Sequence, residues 1–198
     1  MLLYTGLRRA VAVVWVAGLL FAPTLSLFPA VSHGEEPADL CRFDSLPADV
    51  RHSLERRFGG WQIQSAASLS PRARQRWAAE RPLTCPGIAV GHFDDSQAFS
   101  YALLLIGTDH ASSRLLVFTP LSGQAFYGFR LVDQFESSAD DVFVRTVPNS
   151  QYLGKDALFA HRSREGDSLL LSNSAKGTPE EVVYVWMPDG YRHQAVSP

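Results

Sequence analysis

The sequence predicts an α+β protein, in which an antiparallel, meandering β-sheet of about seven to nine short strands is packed by two N-terminal helices. Two observations indicate this fold. Apolar residues recur at helical spacing before residue 81, and after Cys85 short β-prone runs alternate with turn residues. The turns between the runs are too short for the crossover helices of a parallel sheet, so neighbouring strands should form hairpins.

The first helix is predicted over residues 46–58, where an apolar stripe repeats every fourth residue. The stripe consists of Leu46, Val50, Leu54 and Phe58. Pro47 is tolerated in the first turn, and the Gly59-Gly60 pair ends the helix.

The second helix is predicted over residues 71–80, with Ser70 as its N-cap and Pro82 as its stop. Arginines are frequent in this part of the chain, and we expect them on solvated helix faces. They are Arg51, Arg56, Arg57, Arg72, Arg74, Arg76 and Arg81.

The predicted strands are runs rich in β-branched, aromatic and aliphatic residues, separated by turns. They span 88–93, 101–106, 115–119, 125–132, 142–147, 158–161, 168–172, 182–187 and 191–196. Residues 102–106 show no polar alternation, which is typical of a strand buried on both faces. We therefore place this strand in the middle of the sheet.

Residues 1–34 have the pattern of a signal peptide. Arg8 and Arg9 precede an apolar run over 11–28. Small residues follow at the spacing that signal peptidase recognises, either Ala30 and Ser32 or Ser32 and Gly34. The run is also nearly long enough to cross a bilayer, so an uncleaved N-terminal anchor is the alternative. Residues 35–198 then form a single exported domain, periplasmic or secreted.

The charge of the chain argues against nucleic acid as a partner. The formal net charge is −2 at pH 7, and cleavage of the signal would remove two arginines and leave about −4, whereas phosphate binding requires a basic face. Nothing in the sequence indicates a cofactor, or stable membrane insertion beyond the signal segment. A protein or an envelope polymer is the expected partner.

The two cysteines, Cys41 and Cys85, both lie in the predicted exported part. An oxidising compartment permits a disulfide between them. By the chain-entropy estimate such a bond contributes about 4 kcal/mol. A nucleophilic or metal-binding cysteine is the competing interpretation, but no second cysteine or histidine lies at ligand spacing.

The segment Gly166-Asp167-Ser168-Leu169 resembles the nucleophile block of the GDSL esterase and lipase family. The resemblance implies Ser168 as a nucleophile activated by His193, with Asp189 as the supporting carboxylate. The same four residues also suit a hairpin turn that enters the strand over 168–172.

Residues 87–95, followed by the run 101–105, resemble one FG-GAP unit, the strand-loop-strand element of integrin-type propellers. Loop oxygens of that family bind Ca²⁺. The ligand positions fall here on His92, Asp94, Ser96 and Ser100, with Asp95 alongside. Because only Asp94 among those four is a carboxylate, the resemblance implies a degenerate unit without a metal, and it informs the fold more than the function.

The histidines are scattered, and the paired carboxylates, Glu180-Glu181 among them, are expected to be solvated charges. Aromatic residues also indicate a function, because an aromatic patch on an open sheet could form a binding surface for a partner. Phe126 and Tyr127 are neighbours on a strand and must face opposite ways, and Phe129 follows. The sequence therefore favours a binding protein over an enzyme, with Phe126, Tyr127 and Phe129 as its surface.

Overall fold

The computed structural model describes residues 41–80, 84–94, 98–121, 126–136, 139–151, 166–174 and 180–196. The helices are α1 (Ala48–Phe58) and α2 (Pro71–Glu80). The strands are β1 (Trp61–Ile63), β2 (Ile88–Gly91), β3 (Ser100–Gly107), β4 (Ser113–Pro120), β5 (Tyr127–Phe135), β6 (Val142–Pro148), β7 (Asp167–Asn173), β8 (Glu180–Met187) and β9 (Gly190–Val196). All pairings of these strands are antiparallel. The predicted antiparallel architecture with two helices is thus confirmed.

The sequence predicts one sheet, but the described strands form two. In sheet A, β3, β4 and β5 lie side by side, and β1 and β2 both pair with the other edge of β3. In sheet B, β6 to β9 follow in chain order. The physical reason is the burial of the central strands on both faces. Two helices of 11 and 10 residues cannot cover a nine-stranded sheet, so the two sheets cover each other.

The main core lies between the sheets. Sheet A contributes Ala89, Phe93, Ala102, Leu104, Leu115 and Val117, and sheet B contributes Val142, Val144, Leu169, Leu171 and Tyr184. On β3, residues 102 and 104 face this core, whereas 103 and 105 face α1. All four are fully buried, which confirms the predicted interior strand.

Helix α1 lies on the outer face of sheet A. Its predicted stripe is confirmed, because Val50, Leu54 and Phe58 are buried against Leu103 and other sheet A residues. The helix begins at Ala48, two residues later than predicted, since the preceding Pro47 has an extended backbone with ψ 146°.

The disulfide between Cys41 and Cys85 is present and confirms the predicted pairing. Cys41 precedes α1 and Cys85 precedes β2, so the bond ties the beginning of the helical region to sheet A. It closes a loop with a sequence separation of 44 residues.

Helix α2 lies against β6 of sheet B. Trp77 packs edge-to-face on Phe143 with ring centroids 5.5 Å apart. The predicted N-cap is confirmed, because the Ser70 hydroxyl accepts a hydrogen bond from the Ala73 N–H. None of the helices in the described part of the chain is both long and apolar enough to cross a membrane.

Two predicted segments have no counterpart among the described residues, and one observed strand was not predicted. The strand over 158–161 and the signal segment over 1–34 lie outside the described residues. Strand β1 was not predicted, since three residues are too few for a periodic pattern. Just after β1, Gln64 is fully buried and its amide donates to the carbonyls of Ala139 and Val142, so it joins sheet A to the entry of sheet B.

Candidate functional site

The GDSL-like serine is part of the folded interior. Ser168 is 1% exposed, and its hydroxyl donates to the Oδ1 atom of Asn149 at 2.5 Å. Asn149 is itself fully buried. The hydroxyl is therefore bonded to an amide oxygen, which cannot act as the general base of a nucleophilic serine.

His193 and Asp189 lie apart from this serine. Leu169 pairs with Tyr184, and Tyr184 pairs with His193. Because successive residues of a strand face opposite ways, Ser168 and His193 point to opposite faces of sheet B. Asp189 is exposed, and a hydrogen bond from Arg192 lowers its pKa. The structure does not bring the three residues together.

The two segments with family resemblances instead meet each other. The His92 N–H donates to the Asp167 carboxylate at 2.9 Å, and the Asp167 N–H donates to the His92 carbonyl at 2.9 Å. Gly166 has a φ of +98°, which favours glycine, and a side chain at Gly91 would collide with the Asp167 carboxylate. Gly166-Asp167 therefore forms a turn, and Asp167 makes two hydrogen bonds to His92, the residue that follows β2.

The residues at the FG-GAP-like ligand positions differ in burial and in contacts. His92 stacks on Phe99 with ring centroids 4.4 Å apart, and Asp94 is half-buried. Ser100 is fully buried, whereas Asp95 and Ser96 lie outside the described residues. Within the described ranges, no group of three or more histidine, cysteine or acidic side chains could hold a metal ion. The resemblance itself stays a prediction.

The predicted aromatic surface divides into two half-buried residues and one exposed residue. Tyr127 and Phe129 are half-buried and pack on the apolar cluster under α1. Phe126 is 61% exposed, and its carbonyl accepts a hydrogen bond from the Leu121 N–H. Leu121 is 44% exposed. We name Leu121 and Phe126 the hairpin tip, because Leu121 directly follows β4 and Phe126 directly precedes β5.

Two tyrosines lie beside the hairpin tip. The rings of Tyr101 and Tyr127 are 5.7 Å apart and meet edge-on. Burial raises the pKa of Tyr127, and Tyr101 and the Asp49 carboxylate add to the rise. A hydrogen bond with the Tyr101 side chain also favours the protonated form of Tyr127.

A cleft of about 370 Å³ opens where β2 of sheet A meets β6 of sheet B. Its apolar lining includes Leu46, Trp77, Ile88, Val90 and Tyr101, and Cys85 of the disulfide also contributes. Two hydrogen bonds hold the seam together. The Val144 N–H donates to the Pro86 carbonyl at 2.8 Å, and the Thr146 hydroxyl donates to the Val90 carbonyl at 2.9 Å.

The one charged side chain that lines the cleft among the described residues is Arg145. It belongs to a partly buried charge network with Arg76, Glu80 and Glu181. Glu181 lies 2.5 Å from the Arg76 guanidinium and 3.4 Å from that of Arg145. Glu80 lies 3.1 Å from each arginine. Its contact with Arg145 is an ion pair whose angle is unsuited to a hydrogen bond.

This network corrects two sequence expectations. Arg76 and Glu181 were expected in solvent, but their side chains are 20% and 10% exposed. Arg74 is also not simply solvated, because its guanidinium donates to the carbonyls of Ala66, Ala67 and Leu69. Arg76 and Glu181 are 105 residues apart, so no local pattern indicates their pairing.

The residues of the cleft were not predicted as a site either. The signal that could have found part of it is Phe99-Ser100-Tyr101, where two large aromatic side chains share one strand face. Phe99 is 58% exposed and Tyr101 lines the cleft.

The fold and these features define a disulfide-bonded protein of two packed antiparallel sheets, with an apolar cleft at the seam and an exposed hairpin tip. Comparisons of the chain with protein-family models, with curated proteins and with solved structures find no match.

Proposed function

We propose that this chain is an exported binding protein that contacts a protein or an envelope polymer through the hairpin tip. One observation carries the proposal: Phe126, at 61% exposure, is the most exposed large apolar side chain in the described part of the chain. Exposed aromatic residues are frequent anchors of binding interfaces.

The surroundings of the hairpin tip support this role. Strands β4 and β5 pair from Pro120 and Tyr127 down to Ser113 and Phe135, so Phe126 directly precedes a long paired strand. The neighbouring Tyr127 is half-buried and adds an aromatic ring with a polar end. Aromatic rings with a polar end are favoured at interfaces because they combine apolar area with a directional contact.

The apolar N-terminal segment and the disulfide support export, since disulfides persist in oxidising compartments. The alternative is a membrane-tethered accessory protein whose N-terminal segment is retained. N-terminal sequencing of the protein isolated from its host distinguishes the two: a first residue near 33–35 indicates the exported form, and an intact N-terminus indicates the tethered form.

The remaining alternative is a hydrolase that uses Ser168 and His193. The burial of Ser168 and the opposite orientation of His193 give it no support. A Ser168→Ala variant should keep any esterase activity that the protein shows, and a loss of activity in this variant would count for the hydrolase.

The binding proposal is tested by cross-linked capture with the C-terminally tagged protein, followed by titration of the purified partner. The test variant is Phe126→Ser, and the matched control is Leu131→Ser, which is 53% exposed further along β5. We expect Phe126→Ser to weaken binding by about 30-fold or more, the loss typical of an anchor residue. Equal affinity of both variants, or capture of no partner by the unchanged protein, would contradict the proposal.

A further inference from the structure

The cleft between β2 and β6 has the size of a small-molecule site. Its volume of about 370 Å³ falls within the roughly 300–1,000 Å³ that is usual for ligand pockets. A molecule of about two fused rings fits such a space. Neither Leu121 nor Phe126 lines this cleft, so it is a separate site from the hairpin tip.

The walls of the cleft are fixed before any ligand arrives. Trp77 is 4% exposed and is held by its edge contact with Phe143. Cys85 is anchored by its disulfide, and Val90 lies on β2, which is paired with β3. A preformed apolar site loses little conformational entropy when it binds.

The charges near the cleft favour an uncharged ligand. Arg145 faces two carboxylates, Glu80 and Glu181, and Arg76 completes a set of two positive and two negative groups. An anionic ligand would therefore compete with carboxylates that already neutralise Arg145. A cation would find both carboxylates paired with arginines.

The lining carries hydroxyl groups on Ser45, Thr84, Tyr101 and Thr146, and those of Ser45 and Thr146 indicate a polar group that the ligand can carry. The Ser45 hydroxyl donates its proton to the Arg42 carbonyl at 2.7 Å, and the Thr146 hydroxyl donates to the Val90 carbonyl. A hydroxyl has one proton but two acceptor lone pairs. Both oxygens can thus accept a hydrogen bond from a ligand, while their own protons are used within the protein.

We infer that this cleft binds a small, uncharged, largely apolar molecule that carries a hydroxyl or N–H donor. The inference is independent of the hairpin tip and of the macromolecular partner proposed above.

The test uses three naphthalene probes of similar shape and titration calorimetry on the protein isolated from its host. The first, 2-naphthol, is neutral and carries a donor; 2-methoxynaphthalene is neutral and lacks the donor; 2-naphthoate is an anion. We expect saturable binding of 2-naphthol, about tenfold weaker binding of 2-methoxynaphthalene because one hydrogen bond is lost, and no detectable binding of 2-naphthoate. Absent or non-saturable binding of 2-naphthol, or equal binding of 2-naphthoate, would overturn the inference.

Variants then locate the site. Val90→Asp places a carboxylate at the lining of the cleft, at a position 44% exposed, and should abolish 2-naphthol binding. Leu131→Asp makes the same kind of change on β5 and should leave binding unchanged. Should Val90→Asp fail to fold, Ser45→Ala provides the second measurement: it should reduce the preference for 2-naphthol over 2-methoxynaphthalene. An undiminished preference in Ser45→Ala, or equal loss of binding in both aspartate variants, would overturn the assignment.

A final variant separates the cleft from the hairpin tip. Phe126→Ser should bind 2-naphthol as the unchanged protein does, whether or not a macromolecular partner is found. Loss of 2-naphthol binding in Phe126→Ser would contradict a site at the β2–β6 seam.

Discussion

Helix α1 lies against sheet A through apolar side chains, whereas helix α2 lies against sheet B through a small apolar cluster with a charge network beside it. Under α1, Leu54 is 1% exposed within a cluster of aliphatic and aromatic residues, and Phe58 meets Phe129 edge-on at 5.5 Å. Under α2, Trp77 and Phe143 make the apolar contact, and the charge network with Glu181 lies beside it.

The two kinds of contact differ in how strictly they fix the position of a helix on its sheet. Apolar contact is non-directional and scales with buried area, so α1 could shift slightly without losing all its stabilisation. Charges that are withdrawn from water require their partners in place, because an unpaired buried charge is strongly destabilising. The network therefore fixes the position of α2 on sheet B, and with it the position of Trp77 in the cleft.

The largest effect is expected from Glu181→Ala. This change leaves Arg76 and Arg145 with Glu80 as their remaining carboxylate. It should lower the free energy of unfolding by about 3–4 kcal/mol, the lower part of the range for a broken buried pair. Urea denaturation measures the loss. Glu55→Ala is the control, since the Glu55 side chain is exposed on α1, and its effect should stay within about 0.5 kcal/mol. Similar losses in the two variants would show that the network does not hold α2.

Leu54→Ala tests the apolar side of the comparison. Removal of this buried side chain leaves a cavity under α1 and should cost about 3 kcal/mol, from the 2–5 kcal/mol range of such changes. The same urea measurement applies. The control is His52→Ala, a change at an exposed position of the same helix. A loss below about 1 kcal/mol would indicate that α1 contributes little to the stability of sheet A.

Tyr184→Phe tests a polar contact within the apolar core and should have the smallest effect. The Tyr184 hydroxyl donates to the Asp133 carboxylate at 2.5 Å and so links sheet B to β5 of sheet A. Loss of this bond to a charged group should cost about 1.5–3 kcal/mol at neutral pH.

The same variant has a pH signature. Burial, followed by the hydrogen bond to Asp133, raises the pKa of Tyr184 above its usual value of 10.0. The unfolded chain therefore releases this proton first as the pH rises, and the stabilisation declines above pH 10. Urea unfolding at pH 8 and pH 11 should show the gap between the unchanged protein and Tyr184→Phe shrink by about 1 kcal/mol. A constant gap would exclude the proposed proton linkage.

Local patterns predicted much of the secondary structure. The stripe of α1 is visible because one helix face repeats every three to four residues. The range of α2 matches its prediction because Ser70 and Pro82 are local signals for a start and a stop. The interior position of β3 follows from its unbroken apolar run over 102–106.

The candidate sites depend on contacts that local patterns do not contain. The cleft combines residues from before α1, from α2 and from β2, β3 and β6. The hydrogen bonds between His92 and Asp167 join positions 75 residues apart. Ser168 and His193 are close in the sequence, yet alternation along paired strands sends them to opposite faces.

The sequence by itself determined the two helices, most of the strands and their antiparallel pairing, because these depend on residues close together in the chain. It also determined the disulfide, because two cysteines allow one pairing within the chain. Tertiary structure decided the division into two sheets, the burial of Arg76 and Glu181, and the exposure of Phe126. These depend on which apolar faces cover one another, and an apolar or charged side chain has the same local pattern whether a distant strand covers it or water does.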